Sequence, residues 1–72
     1  MKKIKKIKIK INGKLSTIKE KVTLYSFVKK LKVPLKKVAI ELNQEIVNKN
    51  RIKNIKLKHN DKIEIVHFIG GG

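Results

Sequence analysis

Three glycines, Gly70-Gly71-Gly72, close the sequence after the apolar run Ile63 to Ile69. They are the residues best suited to chemistry. A glycine run makes a poor structural element, because glycine loses more backbone entropy on ordering than any other residue. It makes a good probe. Ile69 to Gly72 span about 13 Å when extended, at roughly 3.3 Å per residue. Without side chains, Gly70 and Gly71 fit a channel too narrow for anything else and would set the carboxylate of Gly72 in a partner's active site. A carboxylate held there can be adenylated by ATP and then attacked by a nucleophile. On composition alone, a frayed terminus is the simpler account.

No other group competes for a catalytic role. Ser16 and Ser26 fall on a strand and a helix, away from any nucleophile signature. His59 and His67 lack the spacing of metal ligands on one helix face; they read as a loop residue and a residue near a strand end. Glu20, Glu41, Glu45, Asp61 and Glu64 show no paired arrangement in sequence. The chain has no cysteine, which excludes disulfides, a thiol nucleophile and thiolate ligands. Gly70 to Gly72 opens no helix, so it is no phosphate cradle. The chain is expected not to be an enzyme by itself, and to hold no metal and no bound cofactor.

The net charge of +15 suggests an anionic partner. Yet the basic residues are 19 lysines and the single Arg51, beside 12 isoleucines and 6 asparagines. Those are residues of A/T-rich codons, whereas dedicated phosphate and base readers favour the planar fork of arginine. Tyr25, Phe27 and Phe68 form no stacking array. No specific nucleic-acid partner is expected; a small basic RNA-binding domain is the alternative of a different class. The apolar runs are too short for a membrane helix. The start, Met1-Lys2-Lys3-Ile4-Lys5, resembles a signal peptide but continues as alternating Ile and Lys. The expected setting is soluble and intracellular: cytoplasm, or organelle stroma if an organelle encodes the chain.

A chain of 72 residues forms one thin-cored domain, burying about 60% of its unfolded surface. Ile7 to Ile11 alternates with lysine, the pattern of a half-buried strand. Asn12-Gly13 is a hairpin signal, since a type I′ turn needs positive φ at both central residues. Lys14 to Ile18 returns, with Leu15 and Thr17 on one face. Thr23 reads as an N-cap for a helix over 24–31, with Leu24, Phe27, Val28 and Leu31 at i, i+3, i+4 and i+7. Pro34 biases Val33 away from helix. Val38 to Leu42 is a third strand, Asn43-Gln44 a turn, and Glu45 to Val47 a short fourth strand. Residues 48–58 are irregular, with Ile52, Ile55 and Leu57 spaced to pin them to a core. Asn60-Asp61 turns into a last strand, Ile63 to Ile69. Residues 1–69 read as a single domain and 70–72 as a flexible C-terminal glycine tail.

The order fits an α+β fold of β-grasp type: a mixed sheet of four or five strands with one main helix packed on one face. The helix stripe should meet Ile7, Ile9, Ile11, Leu15, Val38, Ile40, Ile63 and Ile65. Alternation then turns Glu64, Val66 and Phe68 outward, and Val66 with Phe68 would form a docking face for partners.

Asn12-Gly13, the stretches VAIELNQEIV (38–47) and DKIEIVHFIGGG (61–72), and the total length resemble the sulfur carrier proteins of thiamin biosynthesis, the ThiS family of ubiquitin-like proteins. The resemblance covers the whole chain and is most specific from Asp61 to Gly72. It implies that an E1-like adenylyltransferase, ThiF, activates the Gly72 carboxylate with ATP. A sulfur-donating enzyme then converts the carboxylate to a thiocarboxylate, and the thiazole synthase ThiG takes up the sulfur. The absence of cysteine agrees, because such sulfur rides on the carboxyl carbon. Family members often continue after the Val47 position with Pro-Arg and an aromatic residue. Here Asn48-Lys49 follow, Ile52 stands near the aromatic position, and Gln44 replaces a frequent glycine. The small molybdopterin synthase subunit shares the fold and the terminal Gly-Gly, but is usually longer and commonly carries prolines before the glycines. Carriers for tRNA thiolation and protein-conjugating relatives are further alternatives.

Overall fold

The computed structural model describes residues 5–68. Five strands appear in chain order: β1 (Lys6–Ile11), β2 (Lys14–Lys19), β3 (Val38–Leu42), β4 (Glu45–Ile46) and β5 (Lys62–His67). One helix, α1 (Leu24–Lys30), separates β2 from β3, and short 3-10 turns lie at Leu35–Lys37 and Ile52–Asn54. The sheet order is β2-β1-β5-β3-β4. β5 runs parallel to β1, and the other neighbours are antiparallel. This is the mixed five-stranded β-grasp sheet with one main helix that the sequence pattern implies.

Asn12 and Gly13 adopt φ of 47° and 84°, as a tight two-residue turn requires. That turn sets the register: Ile11 pairs with Lys14, Ile9 with Ser16 and Ile7 with Ile18. Residues directly opposite share a face. Ser16 and Ile18 therefore join the buried isoleucine face of β1, while Leu15 and Thr17 point away. Leu15 is 71% exposed, which corrects its expected place in the core. Once Ile11 faces inward, the turn leaves the position of Leu15 no other choice.

Thr23 caps α1, its Oγ1 accepting the Ser26 N–H at 3.1 Å. The Thr23 and Ser26 hydroxyls also bond each other at 3.1 Å. Leu24, Phe27 and Val28 are buried. Leu31 is not, a second correction. The helix ends at Lys30, Leu31 is its C-cap, and Lys32 at φ 59° turns the chain away. The i+7 position falls past the last turn, and Leu31 is 42% exposed.

The core joins this helix face to Ile9, Val38, Ile40, Ile63 and Ile65, with Ile7 and Ile11 packed partly buried at its margin. Ile52 and Leu57 enter it fully, and Ile55 partly. The segment carrying them is tied to the helix start by Leu24 N–H to Ile55 carbonyl and Leu57 N–H to Val22 carbonyl, both 2.8 Å. β4 stops at Ile46, one residue short of expectation. β5 begins at Lys62 and ends at His67; the expected extension to Ile69 lies partly outside the described residues, as does the expected boundary between 69 and 70. Among the described residues, no helix is long and apolar enough to cross a membrane.

Candidate functional site

β5 is the strand that leads to the glycines, and two asparagines fix its position. Asn12 donates its backbone N–H to the Ile63 carbonyl at 2.9 Å. Its side chain then bonds Ile65 twice: Oδ1 accepts the Ile65 N–H at 2.7 Å, and Nδ2 donates to the Ile65 carbonyl at 3.3 Å. The carboxamide stands where the next peptide of β1 would stand, so it prolongs the parallel ladder after the backbone has turned off. On the other flank, Asn43 donates its N–H to the Lys62 carbonyl at 2.7 Å. Its Oδ1 accepts the Lys62 N–H at 2.9 Å and its Nδ2 reaches Asp61 Oδ1 at 3.0 Å. Asp61 Oδ2 in turn accepts the Lys58 N–H at 2.7 Å.

Among the described residues, the support beyond Ile65 is one-sided. The β1 pairing covers Lys10 to Lys62 and Ile11 to Ile63, whereas β3 stays paired as far as His67. The Phe68 N–H continues on that side, donating to the Lys37 carbonyl at 2.9 Å. Strand alternation turns Glu64, Val66 and Phe68 to the face away from α1. Val66 is 51% and Phe68 57% exposed. Lys49 Nζ sits 5.4 Å from the Phe68 ring centroid, within cation–π range, and also donates to the Leu35 carbonyl. A residue at which the chain departs from the resembled pattern thus partly covers the ring.

Two neighbours on this face were not legible in the sequence. Ile46 pairs with Glu41 and is 76% exposed, adding an apolar residue to the same face on β4, one strand beyond β3 from β5. Glu41 pairs with Glu64 across β3 and β5. This corrects the expectation of unpaired carboxylates: 23 positions apart in sequence, the two lie directly opposite in the sheet. Like charges so placed repel, and they make an acidic spot on a strongly basic molecule.

The histidines stand apart from the face and from each other. His59 Nδ1 accepts the Lys8 N–H at 3.1 Å, a structural bond to β1. His67 is exposed at the end of β5. Among the described residues no group of three or more His, Cys, Asp or Glu side chains is placed to hold a metal. Gly70, Gly71 and Gly72 lie outside the described residues. Gly72 stands four positions after Phe68 in sequence, and four fully extended residues span at most ~14 Å.

Comparison with known proteins agrees with this arrangement. The model of the ThiS family matches residues 9–72. A thiazole synthase of Paramagnetospirillum magneticum is 39% identical over 66 residues, which cover 92% of this chain but only 20% of that protein. The chain thus spans a fifth of the length of such a relative. The sulfur carrier protein ThiS of Bacillus subtilis is 37% identical over 65 residues, covering 89% of this chain and 98% of that one. The crystal structure of ThiS from Geobacter metallireducens superposes with a TM-score of 0.81 at 30% identity, covering 92% of this chain and 100% of that chain.

Proposed function

The chain belongs to the ThiS family, and on that premise we propose that it carries sulfur for the thiazole ring of thiamin as a thiocarboxylate on Gly72. The observation that carries this reading is the family match running to Gly72, behind a strand whose start is locked and whose far end is open on one side.

The chemistry is acyl activation. A Gly72 carboxylate oxygen attacks the α-phosphate of ATP and pyrophosphate leaves. A sulfur nucleophile at the oxidation level of sulfide then attacks the acyl-adenylate carbon, AMP leaves with the oxygen, and a thiocarboxylate remains. The chain supplies the acyl group and an address. The glycines enter the active site of an E1-like adenylyltransferase, while Val66, Phe68 and Ile46 dock on its surface. A ThiG-like synthase is the sulfur acceptor. A relative named thiazole synthase carries a segment like this chain within its own polypeptide, which supports the pairing of carrier and synthase. The partners catalyse; this chain is their substrate.

The test is intact-protein mass after incubation with ATP, a ThiF-like adenylyltransferase and sulfide. A protein ending at Gly72 gains about 16 mass units as oxygen is exchanged for sulfur, and the same protein lacking Gly72 gains none. One missing residue withdraws the carboxylate by about 3.3 Å, and misplacement by 1 Å costs on the order of 100-fold in rate. Equal modification of the shortened protein would place the reactive group elsewhere and end the proposal.

A further inference from the structure

A groove of about 400 Å³ runs between α1 and the edge strand β2. Ile18, Val22 and Phe27 line it, Leu31 forms a wall, and Lys6 and Lys30 stand beside them. Most of this lining is apolar carbon held partly open to solvent, since Leu31 falls past the helix end.

The backbone beside the groove has unused capacity. β2 is the outermost strand, and no described segment pairs with its free edge. The Glu20 N–H donates to the Lys5 carbonyl at 2.9 Å. Antiparallel ladders alternate, so Lys14, Ser16 and Ile18 bond β1 while Leu15, Thr17 and Lys19 turn their N–H and C=O groups outward. Thr17 and Lys19 are the residues of that set that line the groove.

We propose that the β2 edge and this groove form a second docking site, for an extended segment of a partner that alternates apolar and acidic residues. Such a segment would add a strand to the sheet. Every second side chain would fall on the helix side, into the apolar groove. The others would lie on the outer face beside Lys19, with Lys6 and Lys8 one strand behind, and Lys30 flanks the groove from the helix. A second copy of this chain is the wrong occupant. β2 reads Lys-Leu-Ser-Thr-Ile-Lys, with cations at both ends and no acid, so two such edges would oppose like charges. The basic edge rejects itself and admits an acidic strand. This site is independent of the sulfur chemistry at Gly72.

The probe is a short capped peptide alternating valine and glutamate, titrated into the full chain by calorimetry. Binding is expected, weakening as salt is raised, with the Thr17 and Lys19 amides gaining protection from hydrogen exchange and those of Val66 and Phe68 unchanged. Thr17→Pro removes an outward donor and leaves the β1 ladder intact, because proline is tolerated on a free edge. It is expected to weaken binding about tenfold. Leu31→Glu, at an exposed position, is the second variant, expected to lose binding while the thermal midpoint holds. Any of the following overturns the proposal: no binding, binding unaffected by both variants, equal binding of a valine–lysine peptide, protection appearing on β5 instead, or sedimentation showing self-association of the free chain that Thr17→Pro abolishes.

Discussion

The turns Asn12-Gly13 and Asn43-Gln44 flank β5 from opposite sides, and they use the same first residue for the same purpose. Each asparagine sits at positive φ, 47° and 53°. Each gives its backbone N–H to a β5 carbonyl and takes a β5 N–H on Oδ1. They differ in two respects. Asn12 grips the middle of β5 with bonds that are partly buried, whereas Asn43 grips its exposed start. And the second residue is glycine in one turn and glutamine in the other, at φ 84° and 72°. A side chain in that region costs on the order of 1 kcal/mol or more. The first turn is therefore relaxed and the second strained. The lesson is that positioning β5 depends on the asparagines, while the residue after each sets only the energy of the turn.

Four substitutions press on that difference. The largest effect is expected at Asn12. Asn12→Ala strips both bonds from Ile65 and leaves a partly buried N–H without its partner, at a cost of about 2–3 kcal/mol. Asn43→Ala, at an exposed site, should cost about 1 kcal/mol. Equal midpoints for the two in urea would show that burial does not distinguish the clamps. Next is Gly13→Ala. A Cβ at Gly13 meets nothing within 4 Å, so the loss is the backbone term alone, about 1 kcal/mol. A loss several times larger would point to a contact that the turn does not contain. The smallest effect has the opposite sign: Gln44→Gly should stabilise by about 0.5–1 kcal/mol, read as a raised thermal midpoint, and an unchanged or lowered midpoint would remove strain from the account of this turn.

Much of this was legible because local signals agreed with one another. The Ile/Lys alternation, the Asn-Gly pair, the Thr23 cap and the Leu24, Phe27, Val28 stripe each specify an element without reference to the rest. Ile52 and Leu57 were legible as anchors for the same reason: isolated apolar residues in a polar stretch have little else to do. Leu15 was misplaced although the information was present. A two-residue turn pairs Ile11 with Lys14, and that pairing alone sends Leu15 outward. Leu31 was misplaced because periodicity marks a face but not where the helix stops. The clamps of Asn12 and Asn43 on β5, the Glu41–Glu64 pair and the position of Ile46 depend on which strands become neighbours. No local pattern encodes that, since the partners lie many positions apart. Gly70 to Gly72 were the reverse case: as candidate chemistry they were plain in the sequence, and the fold contributes the strand that leads to them.

The parallel pairing of β1 with β5 has a consequence for synthesis. It joins the first described strand to the last, at the middle of the sheet. Before Lys62 leaves the ribosome, the hairpin of β1 and β2 and the hairpin of β3 and β4 have no strand between them. Joining them closes a loop of roughly fifty residues, at an entropic cost of about 3.5 kcal/mol before any stiffness is counted. The nascent chain therefore completes its sheet late, and a translation product halted short of β5 lacks the strand that joins the two hairpins.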